Sequence, residues 1–418
     1  MISIISDIHL TDGTSGETMN YKAFNIYKNN LQNLLEKSDD EDTELTIVLL
    51  GDILDLIRSE VWLENKIRPW EDFSEQNYFD TIDKITNNII ENNSDTCNVF
   101  CDLKNNMYVR GNKIKVNIYY MVGNHDWMFY IKDNEYNSIR KKVCEAFHLS
   151  NDFTKPFPFN TEEDNFLNTT MINHKVFARH GDIYDQYNFD KERNKSSLGD
   201  AVVVDIITKF AFDLKQKALI KDKELYNEFV NGIRELDNVK PAFHMKIWLD
   251  NLIDQTFIDK KLKKQVKQEW KKIIKDFFNL KYVKKQNNIF NWFDQVSMLK
   301  VAFKYSKMVG YASKWFSIDL PNWVNASQEY ARKNHWANFI VYGHTHSYKV
   351  EPLSNYKSSK GIKSQFYINT GTWRPIHKLN KADIIKNSFS SFKMMTFAVF
   401  YLPKESQNRF EVWTGYLG

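Results

Sequence analysis

Seven side chains of the types that hold divalent cations stand at or just beyond the ends of short apolar runs: Asp7, His9, Asp52, Asn124, His180, His344 and His346. They fall in five short groups, Asp7-Ile8-His9, Gly51-Asp52, Gly123-Asn124-His125-Asp126, His180-Gly181-Asp182 and Gly343-His344-Thr345-His346. Each group alone is weak. Asp-x-His and Gly-Asp occur often by chance, Gly-Asn-His-Asp suits an Asx turn, and isolated histidines are usually core or solvated rings. Their joint placement carries the weight, because each group directly follows a short apolar run. The donors are oxygen and imidazole nitrogen with no thiolate. That set suits Mn, Fe, Zn, Ni or Co and disfavours a structural zinc knot. Seven donors are too many for one ion but fit two ions sharing a carboxylate, the arrangement used for in-line displacement at phosphorus.

The positioning elements are six apolar segments that read as strands: ISIIS, LTIVLL, VNIYYMV, KVFAR, NFIVY and QFYIN. They are runs rather than alternations, as expected for strands covered on both faces in an α/β arrangement. Helical patterns at Tyr21 to Glu36 and Tyr136 to Phe147 separate the early ones. In an open α/β sheet the carboxyl ends of parallel strands form one rim where ligands collect, so distant residues converge there. Glycines beside these groups allow positive φ and close backbone approach where a strand turns into its loop. Two late segments, MMTFAVFYL and FEVWTGYL, read as closing strands of a second sheet.

Two stretches interrupt the rhythm. Residues from about 58 to 115 are polar and Asn-rich, and read as inserted helices and loops. From Asp200 to about Lys333 no strand pattern occurs, while Ile258, Leu262, Val266, Trp270, Ile273 and Phe277 recur at helical intervals. The expected division is therefore a core in two parts, 1–199 and 334–418, around a helical, basic and aromatic insertion at 200–333, a possible lid. Residues 257–289 hold eleven lysines against Asp259, Glu269 and Asp276, a local surplus of eight positive charges. A solvated face of an amphipathic helix is the plain explanation. The functional alternative is contact with phosphate-rich substrate, nucleic acid or an anionic membrane surface.

Across 418 residues the formal charge is only +4, so overall balance does not point to a nucleic-acid or membrane partner. A 42% hydrophobic and 15% aromatic content supports a sizeable core. Three cysteines with no Cys-x-x-Cys pair fit a reducing compartment. The start MISIISDIHL lacks the basic lead of a signal peptide, and no apolar run reaches about 18 residues. A cytoplasmic protein is expected.

The ordered pattern of Asp-x-His, Gly-Asp-x-x-Asp, Gly-Asn-His-Asp, a lone His and Gly-His-x-His, complete from residue 7 to residue 346, resembles the calcineurin-like metallophosphoesterases. The resemblance implies an α/β sandwich of two mixed β-sheets flanked by helices, here with a large helical insertion. It implies that Asp7, His9 and His346 hold one divalent ion and Asn124, His180 and His344 a second, with Asp52 bridging. Manganese comes first, then iron, zinc, nickel or cobalt. It implies attack on phosphorus by a hydroxide shared between the ions, with His125 as general acid. Asp126 is the candidate to orient His125, or else a helix N-cap, and Asp55 is a more distant supporting candidate. The segment Asn369-Thr370-Gly371-Thr372-Trp373 also resembles the family's turn near the site. Trp373 reads as a packing residue, and Asn369 stays open.

Within the superfamily the SDIHL start, the HGD element and the insertion resemble UDP-2,3-diacylglucosamine diphosphatases, in which such an insertion covers a lipid-linked nucleotide. His125 stands where those enzymes tend to carry arginine, and the insertion here is longer. A phosphoester or phosphodiester hydrolase acting on a phosphate-containing substrate therefore ranks first, and that pyrophosphatase second. A nuclease or nucleotide phosphodiesterase, which the basic aromatic insertion suits, and a non-catalytic scaffold complete the alternatives.

Overall fold

The computed structural model describes residues 1–241, 244–286, 322–359, 361–380 and 388–417. Its strands are β1 (Ile2–Ile5), β2 (Leu45–Leu50), β3 (Tyr108–Val109), β4 (Asn112–Lys113), β5 (Val116–Met121), β6 (Val176–Ala178), β7 (Phe339–Tyr342), β8 (Lys349–Ser358), β9 (Gly361–Asn369), β10 (Pro375–Leu379), β11 (Phe389–Phe400) and β12 (Phe410–Tyr416). The helices used below are α1 (Tyr21–Glu36), α2 (Val61–Glu64), α3 (Gln76–Asn92), α4 (Ser94–Asn105), α5 (Asn137–Phe147), α6 (Asn165–His174), α7 (Leu198–Val202), α8 (Lys209–Gln216), α9 (Lys223–Arg234), α10 (Met245–Thr256), α11 (Lys260–Phe277) and α12 (Lys281–Lys285).

In the first sheet β1, β2 and β5 run parallel, with Ile4 opposite Val48 and Ile47 opposite Ile118. The second sheet has the order β6-β7-β9-β8, its first three strands parallel and β8 antiparallel. Side-chain alternation explains why the strands read as apolar runs. Ile4, Val48, Leu50 and Met121 point inward to meet Val176, Ala178, Val341 and Ile368 of the facing sheet. Ile47, Leu49, Ile118 and Tyr120 point outward to α1, α3, α4 and α5. Phe177, Ile340, Tyr342 and Tyr367 form the outer face of the second sheet against Ala326, Ala331 and Ala337. Both faces of the strands that end at the site, β1, β2, β5, β6 and β7, are thus covered, while the outer strands β8 and β12 have no buried residue; each buried Leu, Ile or Phe contributes about 1.5–3 kcal/mol. The result is the helix-flanked sandwich of two mixed sheets.

The two late segments correct one expectation. They close the first sheet: β11 pairs antiparallel with β1, Ile4 opposite Ala398, and carries β10 and β12. A central strand cannot leave a row of buried amides bare, and β2 covers only one edge of β1.

Residues 58–115 form α2, α3, α4 and the β3–β4 hairpin. Helices α7 to α12 have an apolar cluster of their own, centred on Phe210, Phe229, Leu249, Val266, Trp270 and Phe277. Along α11 Val266, Trp270, Ile273 and Phe277 are buried and Leu262 is half-buried, whereas Ile258, ahead of the helix, is 96% exposed. The Asp259 side chain accepts from the amides of Lys261 and Leu262 and starts the helix after it. The lysine-rich stretch 257–289 and the insertion 200–333 both run past residue 286, and their parts at 242–243 and 287–321 lie outside the described residues. Among the described residues no helix is long and apolar enough to cross a membrane.

Candidate metal centre

Strands β1, β2 and β5 of one sheet and β6 and β7 of the other end at a common rim, and the loops there continue the ladders. The amide of Asp7 donates to Gly51 O at 3.1 Å and that of His9 to Asp52 O at 2.9 Å. The amide of Gly343 donates to His180 O at 2.9 Å. The lacing tilts the seven donor side chains into one buried pocket. The donor atoms of Asp7, His9 and His346 lie within 4.8 Å of one another, as do those of Asp52, His180 and His344. The His180 Nε2 to Asp52 Oδ2 distance is 3.1 Å, and the His9 Nε2 to Asp52 Oδ2 distance is 3.8 Å, so Asp52 stands between the groups. Asn124 Oδ1 is 3.0 Å from His344 Nδ1.

The glycines help by absence of a side chain. A Cβ on Gly123 would overlap Asp52 Oδ1 and lie 2.7 Å from His180 Cδ2. The ligands themselves, however, supply most of the unusual backbone. Asp7, His9, Asp52, His344 and His346 have φ of 54°, 52°, 54°, 68° and 56°. Asp and His are among the few non-glycine residues that enter this left-handed region with some ease.

Three of the four imidazoles are held by a partner at the other nitrogen, which fixes the nitrogen left to face the pocket, whereas His346 Nδ1 is buried with no hydrogen-bond partner among the described residues. His9 Nδ1 donates to Asp55 Oδ2 at 2.9 Å, and His180 Nδ1 donates to the Leu50 carbonyl at 2.9 Å. His344 Nε2 donates to Asp185 Oδ2 at 2.9 Å. This leaves His9 Nε2, His180 Nε2 and His344 Nδ1 turned inward. The donor set fits divalent cations on two observations. His180 Nε2 is buried with no hydrogen-bond partner among the described residues. His9 Nε2 and His346 Nε2 approach to 3.2 Å although the His9 proton is committed to Asp55.

Charge reinforces this. Burial opposes ionisation of Asp52, but His180 and His125 outweigh it and hold the carboxyl well below the usual range. Burial raises Asp7 despite His180. For His180, burial is overcome by the Asp52 and Asp7 carboxylates, which favour positive charge at its inward nitrogen. A place that attracts a proton between two carboxylates also attracts a cation.

His125 lies beside this pocket with its side chain 15% exposed. Its Nδ1 donates to Asp55 Oδ1 at 2.7 Å, leaving Nε2 free. Burial would lower its pKa, but Asp55 and Asp52 raise it to about 9. One carboxylate therefore holds both His9 and His125. Asp126 does not orient His125, a correction to the sequence reading. Its oxygens accept from the amides of Gly123 at 2.6 Å and Ile53 at 3.0 Å and from the Tyr120 hydroxyl at 2.6 Å. Those bonds turn the carboxyl toward the strand ends, and it makes no side-chain cap for the short helix that follows.

The Asn369 to Trp373 turn is a brace. Asn369 Nδ2 donates to the Gly343 carbonyl at 2.6 Å, and Thr372 Oγ1 donates to the Asp7 carbonyl at 2.6 Å. Trp373 is fully buried, packs on Phe24 and Tyr27, and donates to Thr396 O at 2.9 Å. Sequence reasoning missed Asp185. Its only signal is proximity, three residues past the His-Gly-Asp element.

The insertion meets the rim through a buried ion cluster. Arg58 Nη1 donates to both oxygens of Asp237 at 2.7 Å, and Arg374 Nη1 reaches Asp237 Oδ2 at 3.1 Å. The Arg58 amide also donates to Asp55 Oδ1 at 3.2 Å.

The family model for calcineurin-like phosphoesterases matches residues 1–218. No curated protein matches the chain in sequence.

Proposed function

The chain belongs to the calcineurin-like phosphoesterase family, and from that premise we propose that it hydrolyses a phosphoester or phosphodiester bond with two divalent ions. Asp7, His9 and His346 would hold one ion and Asn124, His180 and His344 the other, with Asp52 shared; manganese is the first choice. Such a pair supplies an acidified water and draws charge from phosphoryl oxygens. The observation that carries the reading is the convergence of the two donor groups on either side of Asp52.

The protein's own groups complete the chemistry. The Asp55 and Asp52 carboxylates favour a protonated His125 against burial, and Nε2 is the end that Asp55 leaves to face the pocket. It delivers that proton to the leaving oxygen. Asp55 fixes the ring and, through the opposite oxygen, fixes His9. The lysine face of α11 is the candidate contact for nucleic acid or an anionic membrane surface. Its apolar side is occupied by the insertion's own core.

The test is an assay of manganese-loaded protein on bis(p-nitrophenyl) phosphate and p-nitrophenyl phosphate, with metal analysis. Asp52→Ala should lose bound metal and activity by about 10³-fold or more, since one carboxylate serves both ions. Wild-type protein that binds two ions yet is no faster than Asp52→Ala would favour the scaffold alternative.

A further inference from the structure

The three donors on one side of Asp52 share a support that the other three lack. Asn124, His180 and His344 come from three different loops, and the segment that follows His180 reaches all of them. It folds back on itself. Arg193 Nη1 donates to Asp182 Oδ2 at 2.6 Å and Nη2 to Asp182 Oδ1 at 3.0 Å, closing a loop over residues 182–193. Both side chains are buried, and the guanidinium lies over the rings of Phe159 and Phe189, 5.3 and 5.0 Å from their centroids. The same Nη1 donates to the Gly123 carbonyl at 3.2 Å, directly before Asn124. Within the loop, Asp185 Oδ2 accepts from His344 Nε2 at 2.9 Å and from Asn188 Nδ2 at 2.8 Å, while Oδ1 accepts from the Tyr187 amide at 2.8 Å. The Asp185 amide donates in turn to the Asp182 carbonyl at 2.8 Å. One closed loop thus starts two residues past His180, grips the carbonyl before Asn124 and holds the ring of His344.

The remaining donors are braced elsewhere. Ser6 Oγ donates to the Asp7 carboxylate, and Asp55 holds His9 at 2.9 Å. His346 Nδ1 is buried without a hydrogen-bond partner among the described residues. The two groups of donors meet through Asp52 and through the His344 amide, which donates to Asp7 Oδ2 at 3.0 Å. Among the described residues no hydrogen bond or ion pair joins Asp7, His9 or His346 to residues 182–193. A guanidinium–carboxylate fork fixes direction at both of its ends, and the partners behind metal ligands set their orientation and with it the affinity for the ion.

We propose that residues 182–193 are a clamp for one of the two ions, in which Asp182, Asp185 and Arg193 are positioning residues. They set the affinity for the ion held by Asn124, His180 and His344 and not for its neighbour. The inference rests on the ligand assignment of the hydrolase reading and deepens it. The clamp also leads into α7, with the Gly199 amide donating to the Tyr187 carbonyl at 2.7 Å, so the root of the helical insertion and that ion are held by the same loop.

The test is calorimetric titration of the full-length, metal-free protein with Mn²⁺, a readout independent of catalysis, on wild type, Asp185→Ala, His346→Ala and the double variant. The Asp185 side chain is 26% exposed, so its removal leaves the core intact, and matching thermal midpoints of the metal-free proteins check this. Wild type should bind two ions. Asp185→Ala should weaken one binding step by about 10–100-fold, the usual effect of removing such a partner, and leave the other within about twofold. His346→Ala should weaken the step that Asp185→Ala spares, so the double variant keeps no tightly bound ion. Arg193→Lys, which keeps the charge but not the fork, should weaken the same step as Asp185→Ala; no loss, or a loss on the other step, removes Arg193 from the clamp. If Asp185→Ala weakens both steps equally or neither, or acts on the same step as His346→Ala, the clamp is overturned while the hydrolase reading stands. Wild type that binds fewer than two ions overturns both.

Discussion

Removing the His125 imidazole should produce a loss that depends on the leaving group. The ring's pKa rises from an ordinary 6.5 to about 9 because the Asp55 and Asp52 carboxylates more than offset burial. That difference corresponds to about 3 kcal/mol favouring the protonated ring. A raised value means the acid form is present below it, and activity that needs the proton falls as pH rises through it. Bound divalent ions add positive charge nearby and move that fall to lower pH. In His125→Ala, kcat for a phosphodiester with an alkyl leaving group should drop roughly 10²–10³-fold, within the usual range for general acid catalysis. For p-nitrophenolate, which needs little protonation, the loss should be about tenfold or less. A series of diesters of graded leaving-group basicity, measured from pH 6 to 10 with metal content checked, gives both readouts. His125 is outside the seven-donor set, so bound metal should match wild type. If the variant loses the same factor across the series, or keeps the wild-type alkaline fall, His125 is not the acid.

Two further outcomes follow from packing. Gly123→Ala places a methyl group on Asp52 and His180. It should cost about 1–3 kcal/mol in denaturant unfolding and lower the bound-metal stoichiometry; a variant with full metal content would show that the pocket has room. Trp373→Ala empties a fully buried site against Phe24 and Tyr27. It should cost about 3–5 kcal/mol while leaving the leaving-group dependence as in wild type, and a changed dependence would give Trp373 a catalytic part.

Much of the sandwich was legible because β1, β2, β5, β6, β7 and the last residues of β9 are buried and therefore read as largely apolar runs. Their ends were marked by aspartate, asparagine or histidine, beside glycine at most of them, recurring after five separate apolar runs. Sheet membership was not legible for β11 and β12. Apolar content shows that a strand is buried but not which edge it completes. The partner of His125 was misjudged for a related reason: Asp126 is adjacent in sequence, yet the chain bends through 124–126 and commits that carboxyl to Gly123, Ile53 and Tyr120, and Asp55 from the β2 loop faces the ring instead. Asp237 carried no local signal, since its pairing with Arg58 and Arg374 depends on where β10 anchors the insertion.

The left-handed backbone at Asp7, His9, Asp52, His344 and His346 means that the main chain, more than rotamer choice, sets where these donors aim. Aspartate, asparagine and histidine all tolerate that conformation, whereas valine, isoleucine and threonine do not. Exchange among the tolerated types would alter the hardness of the donor atoms without redirecting them. The architecture can thus drift in its taste for one metal over another while its aim stays the same.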